Sequence, residues 1–441
     1  MNIKSIMLCA AASVSAVLMA GDTPEVSNVK MEQATLGRKV TITYELGNIP
    51  NGAVVTLDVE TNAPGNVWAS IGGAAVCNAQ GAVWRKVTSA DADANGKYTI
   101  TWRPDLSWEG HNIADGGARA VVTAWALDNT PDYMVVDISA SAKANTQCYY
   151  PGSDFVPGGV SNSLYKTSTL LLRKIMAKDV KWTMGSVNES GRNDNEATHQ
   201  VSLGNNYYIG VYEVTYTQWR LITGYSITSS FIVDNAMRPV TWVAYSDIRT
   251  GEGTQYNAAA GSEAYLQTPY DKSFMGLLRT KTGIDFDLPS EAQWEFAARA
   301  GNGEGYWGDG SAIGISNNKD VNLSRLGRYL NNPDTNSSDE RDIDPSLGGT
   351  AIVGSYCAND WGLYDMHGNA SEWCLDGYSA NISSYTGSIN TKNTTLRVLR
   401  GGGWRSEADK CRPAYRTSMN GATRSSSHAI GFRAACTAGL Q

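Results

Sequence analysis

Cys411 lies shortly after the run Gly401-Gly402-Gly403, with Ser406 between the glycines and the thiol. A thiolate is a ligand for a soft ion such as copper(I); a serine hydroxyl is hard, neutral and a poor partner for the same ion. Asp365 and Glu372 bracket Gly368, Asn369 and Ala370, and hard oxygen donors at such close loop spacing suit calcium. Iron would need two or three histidines, often with a carboxylate. His111, His199, His367 and His428 are scattered along the chain and do not make such a set. No Gly-Lys-Ser/Thr follows the glycines, so they do not form a phosphate loop; close backbone packing accounts for them. Neither a hydrolase elbow nor a metalloprotease helix is visible.

The chain that must position these groups has 441 residues, enough for two or three domains, and is 42% hydrophobic and 18% charged. Glycine is abundant at 45 residues, roughly a tenth of the chain against an average near 7%, which points to turn-rich architecture. The aromatics are 13 Trp, 22 Tyr and only 6 Phe. Rings with a polar tip suit loop-built cores in which the N–H or O–H finds a partner. A net charge of −7 without a basic block argues against nucleic acid as a partner and offers nothing to anionic lipid.

Lys4 followed by the apolar run Ile6 to Met19, with small residues at Ala16 and Ala20, reads as a secretory signal over residues 1–20. That run is short for a membrane span and no later one approaches the required length, so the expected product is secreted or periplasmic and not membrane-spanning. Of 7 cysteines, Cys9 falls in the signal; Cys77, Cys148, Cys357, Cys374, Cys411 and Cys436 remain. An even set in an oxidising compartment favours disulfides, and the pairs expected are Cys77–Cys148, Cys374–Cys411 and Cys357–Cys436.

Residues 25–140 read as all-β. Val40 to Leu46, Val54 to Val59, Lys97 to Trp102, Ala120 to Trp125 and Tyr133 to Ile138 are β-branched or alternating runs separated by turn residues. The expectation is a sandwich of immunoglobulin or fibronectin-III type serving as a spacer or docking module. Residues 141–169, rich in Ser, Gly, Asn and Pro, are expected to be a linker. Beyond them, Thr215 with Gln218 and Ser290 with Gln293 form capping boxes that start helices, ended by Gly224 and Gly301. A further short helix is expected near Tyr245 to Ile248.

Several blocks in residues 170–437 carry a family resemblance: Trp182 to Gly185, Tyr207 to Thr215, Leu288 to Gly301, Gly362 to Trp373, and Arg397 to Trp404 with Cys411 to Arg416 and Gly431 to Arg433. Together they resemble the formylglycine-generating enzyme, or sulfatase-modifying-factor, domain. The resemblance implies an irregular α+β domain related to C-type lectins. In members that oxidise a sulfatase cysteine, two cysteines hold copper(I). Here the first of those positions falls on Ser406 and the second on Cys411, with Glu407 in place of the usual His and Gly403 in place of Ser. Arg400, Trp404, Arg412, Arg416, Phe432 and Arg433 keep the family pattern. The family's calcium loop maps onto Asp365, Gly368, Ala370 and Glu372, and a second calcium site would begin at Asn331, with a further acid at Asp342 or Asp344. The reading is thus an exported, non-canonical member that binds a protein or glycan, with a sulfatase among the candidate partners. The alternative is an active copper-dependent formylglycine-generating oxidoreductase.

Overall fold

The computed structural model describes residues 23–33, 37–63, 67–111, 113, 116–227, 236–250, 268–332, 349–387, 389–390, 395–423 and 429–439. Residues 1–20, expected to be a secretory signal, and His428, Asp342 and Asp344 lie outside them. Among the described residues no helix is long and apolar enough to cross a membrane.

The alternating runs near the N-terminus form two antiparallel sheets. One has the order Glu25–Gln33, Val40–Gly47, Tyr98–Trp102, Gln80–Gly81. The other is built around Ala53–Ala63, which pairs with Val67–Ser70, Lys86–Val87 and Ala118–Trp125. Period-two alternation turns Ile42, Tyr44, Ile100 and Trp102 of the first sheet and Val55, Leu57 and Val59 of the second into one apolar cluster. That cluster also takes in Leu171, Val211, Tyr212 and Val353, so the apolar core continues into the C-terminal region.

Two expectations change here. Tyr133–Asp137, read from sequence as the last strand of the N-terminal unit, pairs instead with Thr169–Ile175. It belongs to a five-stranded sheet of order Cys148–Tyr150, Tyr133–Asp137, Thr169–Ile175, Tyr207–Gly210, Ala435–Thr437. Residues 141–169 are not a solvated tether. They supply the edge strand of that sheet and bury Tyr149, Tyr150, Val156 and Tyr165. Their backbone is held by the following helix: Gln218 Nε2 donates to the carbonyls of Tyr165 and Thr169, and Thr215 Oγ1 donates to that of Lys166. Buried backbone groups must be paired, and these contacts pair them.

Both capping boxes form. Thr215 Oγ1 accepts from the Gln218 N–H and Ser290 Oγ from the Gln293 N–H, starting helices Tyr216–Thr223 and Glu291–Arg299. The first ends at Gly224 in the left-handed region; the second ends on Ala300, also left-handed, one residue before Gly301. The short helix expected near Tyr245 lies at Ser246–Thr250. A helix that the sequence reading did not include, Phe274–Thr282, is capped by Ser273 and stopped by Gly283. A last sheet, Arg416–Asn420, Leu396–Arg400, Ser371–Gly377 and Ile430–Gly431, carries most of the family residues.

The shared sheet gives a fragment test. A chain beginning at residue 127 keeps both Tyr133–Asp137 and Cys148–Tyr150 and should unfold cooperatively in urea. A chain beginning at residue 170 lacks both and leaves the remainder of the strand, residues 170–175, with an unpaired edge. It should aggregate or unfold without a clear transition, as read by size-exclusion chromatography and circular dichroism.

Candidate functional site

Strand Leu396–Arg400 delivers the chain into Gly401 and Gly402, both in the left-handed region. A Cβ on Gly402 would lie 2.8 Å from the Cys411 sulfur, so this glycine is required by how closely the thiol packs. The chain then turns at Ser406. The Ser406 N–H donates to the Gly403 carbonyl at 2.7 Å, and its Oγ accepts the Gly403 N–H at 2.9 Å. The hydroxyl is therefore a turn clasp.

Cys411 ends the short helical turn Ala408–Cys411 and is fully buried. Its neighbours in the core are Trp307, Leu323, Leu326, Tyr329 and Ala408. The thiol donates to the Glu407 carbonyl at 3.7 Å. Burial raises its pKa far above the ordinary thiol range, and the Asp409 carboxylate pushes the same way. Reactive cysteines sit in electropositive, partly open surroundings; this one has the opposite environment. His367 is buried against the same segment: Nε2 accepts the Gly308 N–H and Nδ1 donates to the Cys411 carbonyl at 3.2 Å. Burial drops its pKa to about 4, so it stays neutral and acts as a brace.

All six described cysteines are free thiols, which corrects the expected disulfides. Cys374 and Cys411 lie in different apolar clusters. Cys357 is exposed while Cys436 is buried in a third cluster, with burial pushing its pKa up to about 12. Cys77 and Cys148 share a neighbourhood, since each bears electrostatically on Tyr150 and Tyr165.

The arginines that carry the family pattern are consumed by ion pairs. Arg412 meets Glu189 and Glu196 at 2.7 and 2.8 Å, and Arg416 grips Glu291 through two contacts of 2.6 Å. Arg400 pairs with Glu295 and donates to the Pro413 and Tyr415 carbonyls. None is offered to a ligand at Cys411.

The carboxylates expected to hold calcium come together around a residue that sequence reading had left in a strand, Glu213. Its Oε1 accepts the Ala370 N–H at 2.9 Å and its Oε2 accepts the Asn369 side-chain amide at 2.6 Å. Glu372 is gripped by Arg433 through both oxygens and also accepts the Trp294 indole N–H at 2.7 Å. Asp365 accepts the Gly354 N–H through Oδ2, while its buried Oδ1 has no partner. Burial raises the Glu213 pKa strongly, with Asp365 and Glu372 adding to it, and burial raises Asp365 to about 6.

Calcium needs several unoccupied oxygens converging on one point. The orphaned Asp365 oxygen is compatible with that, but the Glu372 carboxylate is closed by a guanidinium that already neutralises it. Glu372 would have to release Arg433 to serve as a calcium ligand, and among the described residues no group of three or more His, Cys, Asp or Glu side chains is placed to hold a metal ion. Asn331 lies elsewhere, donating from Nδ2 to the Asn318 carbonyl, while its neighbour Leu330 donates to the Ser406 carbonyl. Ser406 and Cys411 do not fit a two-sulfur copper site. Among the described residues no second cysteine belongs to the cluster around Cys411, and the one thiol is buried.

A turn-rich α+β domain, stitched by buried Arg–Glu pairs around a Gly-Gly-Gly strand end, is the class this geometry defines. The Sulfatase-modifying factor enzyme 1-like domain matches residues 173–438, and the chain belongs to that family. It is 26% identical over 216 residues to the chaperone protein LppX of Paenibacillus barcinonensis, covering 47% of this chain and 73% of that one. It is 34% identical over 166 residues to the formylglycine-generating enzyme of Streptomyces coelicolor, covering 35% of this chain and 47% of that one. To the inactive C-alpha-formylglycine-generating enzyme 2 of Bos taurus it is 32% identical over 160 residues, covering 34% of this chain and 44% of that one. The chain thus spans less than half the length of these last two relatives.

Two measurements check the site. In native protein, a thiol reagent should modify Cys357 quickly and Cys77 and Cys148 slowly, and should reach Cys374, Cys411 and Cys436 only in denaturant. For protein lacking residues 1–20, and with them Cys9, the denatured count should be six; each disulfide would lower it by a pair. The second concerns Asp365, whose folded pKa lies above its unfolded value. It therefore loses stability for the fold as pH rises from about 4 to about 6, and the penalty is complete above that. Asp365→Asn removes the charge and suits the left-handed backbone there, so it should match wild type near pH 4 and exceed it by about 2–3 kcal/mol at pH 7 in urea unfolding. Added calcium should leave the wild-type midpoint unchanged.

Proposed function

We propose that this chain is an exported member of the sulfatase-modifying-factor family that works as a binding or scaffold module, not as a formylglycine-generating oxidoreductase. The observation that carries this reading is the state of the Ser406–Cys411 pair. The hydroxyl is committed to Gly403, and the thiol is fully buried and far from ionising at neutral pH. Soft-metal oxidation of a cysteine needs a second sulfur, an ionisable first one and room for substrate. The segment offers none of these. Relatives named both as active and as inactive formylglycine-generating enzymes match this chain, so loss of chemistry on a retained scaffold is consistent with the family.

The N-terminal sheets are proposed to be an immunoglobulin- or fibronectin-III-like docking unit. The partner is a protein or glycan outside the cytoplasm, and a sulfatase is the first protein to test given the family. Its role would be to recognise and hold the partner.

The test is a folded, copper-loaded sample incubated with oxygen and a peptide carrying the sulfatase Cys-x-Pro-x-Arg motif. Mass spectrometry should show unchanged peptide, and copper(I) should bind no more tightly to wild type than to Cys411→Ser. Formation of the aldehyde, or copper binding lost on that substitution, would establish the oxidase reading in its place.

A further inference from the structure

We propose that the N-terminal unit carries a binding cleft for a neutral carbohydrate, distinct from the Ser406–Cys411 region. A cavity of about 530 Å3 opens beside the short helix Pro104–Ser107, between the two N-terminal sheets. Its volume is that of a small-molecule site, roughly 300–1,000 Å3.

The lining combines two kinds of group. The first is a run of stacked rings. Trp102 and Trp108 lie 6.2 Å apart at 29°, and His111 stacks on Trp108 at 4.0 Å and 8°. The run is fixed from below, because buried Trp102 donates its indole N–H to the Ala75 carbonyl at 2.8 Å and His111 Nδ1 lies 3.1 Å from the Trp108 carbonyl. It also reaches solvent: Trp102 is buried, Trp108 half-buried and His111 exposed. The second kind is charge of both signs. Arg38, Asp105 and Glu109 line the same cavity. Asp105 is held by Arg103 through two contacts of 2.7 Å. Arg38 acts electrostatically on Asp105 without a direct contact to it, and Glu109 has no hydrogen-bond or ion-pair partner among the described residues, so the rim presents a guanidinium and a carboxylate.

This combination selects a ligand class. A purely apolar ligand would desolvate the guanidinium and the carboxylates without compensation, at a cost of several kcal/mol. A phosphate or sulfate ester would meet Asp105 and Glu109, and a cation would meet Arg38. A sugar ring satisfies both kinds of group. Its C–H face lies against an aromatic face, and its hydroxyls donate to a carboxylate and accept from a guanidinium. The concave, mixed-charge lining also distinguishes the cleft from a flat protein interface.

The inference gives a ligand class to the binding role proposed above. It rests on a different part of the chain, so the peptide assay and the carbohydrate assay fail independently. The full chain is titrated separately with cellohexaose, laminarihexaose, mannohexaose and xylohexaose, followed by tryptophan fluorescence and calorimetry. Dextran sulfate serves as the polyanionic control. At least one neutral oligosaccharide should bind saturably, and dextran sulfate should not displace it. His111→Ala, which removes the exposed end of the stack, should weaken binding by about tenfold or more, as expected for losing one seated aromatic contact, with Glu109→Gln giving a smaller loss. Trp108→Ala removes the ring beneath His111 and should also weaken binding, with circular dichroism showing that both variants remain folded. Binding by none of these oligosaccharides at millimolar concentration would overturn the proposal. So would binding untouched by both ring substitutions, or a response to dextran sulfate alone.

Discussion

Arg433 and Glu372 meet in a bidentate pair from which solvent is wholly excluded. Arg433 also donates to the carbonyls of Gly210 and Tyr364, and Glu372 accepts from the Trp294 indole. One ion pair thus joins the five-stranded sheet, the Gly362–Ala370 loop, the strand Ser371–Gly377 and the helix Glu291–Arg299. Removing either partner would strand a buried charge, and breaking such a pair costs roughly 3–5 kcal/mol. That is a large share of the stability of an ordinary domain. The pair cannot be judged only by its net electrostatic gain, which desolvation offsets. Its effect is positional, because it allows only one arrangement of the loop.

The same device recurs wherever regular secondary structure gives out. Arg400, Arg412 and Arg416 leave one segment and reach Glu295, Glu189 and Glu196, and Glu291, with Arg299 bridging Glu295. A chain with this much loop has many backbone groups that no ladder satisfies. Arginine is suited to the task because its planar fork serves a carboxylate and backbone carbonyls at once. Arg400 illustrates this, pairing with Glu295 while capping the carbonyls of Pro413 and Tyr415. In this chain these arginines hold loops, and their presence does not imply chemistry at the thiol.

This explains which parts of the molecule could be read in advance. The Thr215–Gln218 and Ser290–Gln293 boxes are complete within four residues, so local chemistry decides them. Ser273 and Gly283 carry the same kind of signal for helix Phe274–Thr282, although its short apolar face did not stand out by periodicity. Tyr133–Asp137 was legible as a strand but not as a member of a particular sheet, because alternation fixes which face is buried and says nothing of the neighbour. The segment 141–169 has a linker's composition, yet its tyrosines are the residues that bury. Glu213 sits inside the run Tyr212 to Thr215, where a carboxylate looks like a solvated position until the loop Gly368–Ala370 folds onto it. The cysteine pairs follow in sequence from the compartment and from the division of two cysteines before the family domain and four within it; pairing also needs proximity, and the folded chain places Cys374 and Cys411 in different clusters.

The thiol position makes the sharpest case for reading motif residues by environment. Gly402 has no side chain, so the Cys411 sulfur fills the space beside it, and Trp307, Leu323 and Tyr329 close the other sides. A sulfur that fills a cavity in this way contributes as a small apolar group, and its ionisation is opposed by the packing that makes it useful. Ser406 belongs to the same economy of space, since a hydroxyl accepts the Gly403 N–H better than a thiol would. Ser406 and Cys411 are each explained by the turn and the core they build. The chemistry of a two-sulfur site would require this corner to be open and polar, whereas its stability requires it to be closed and dry.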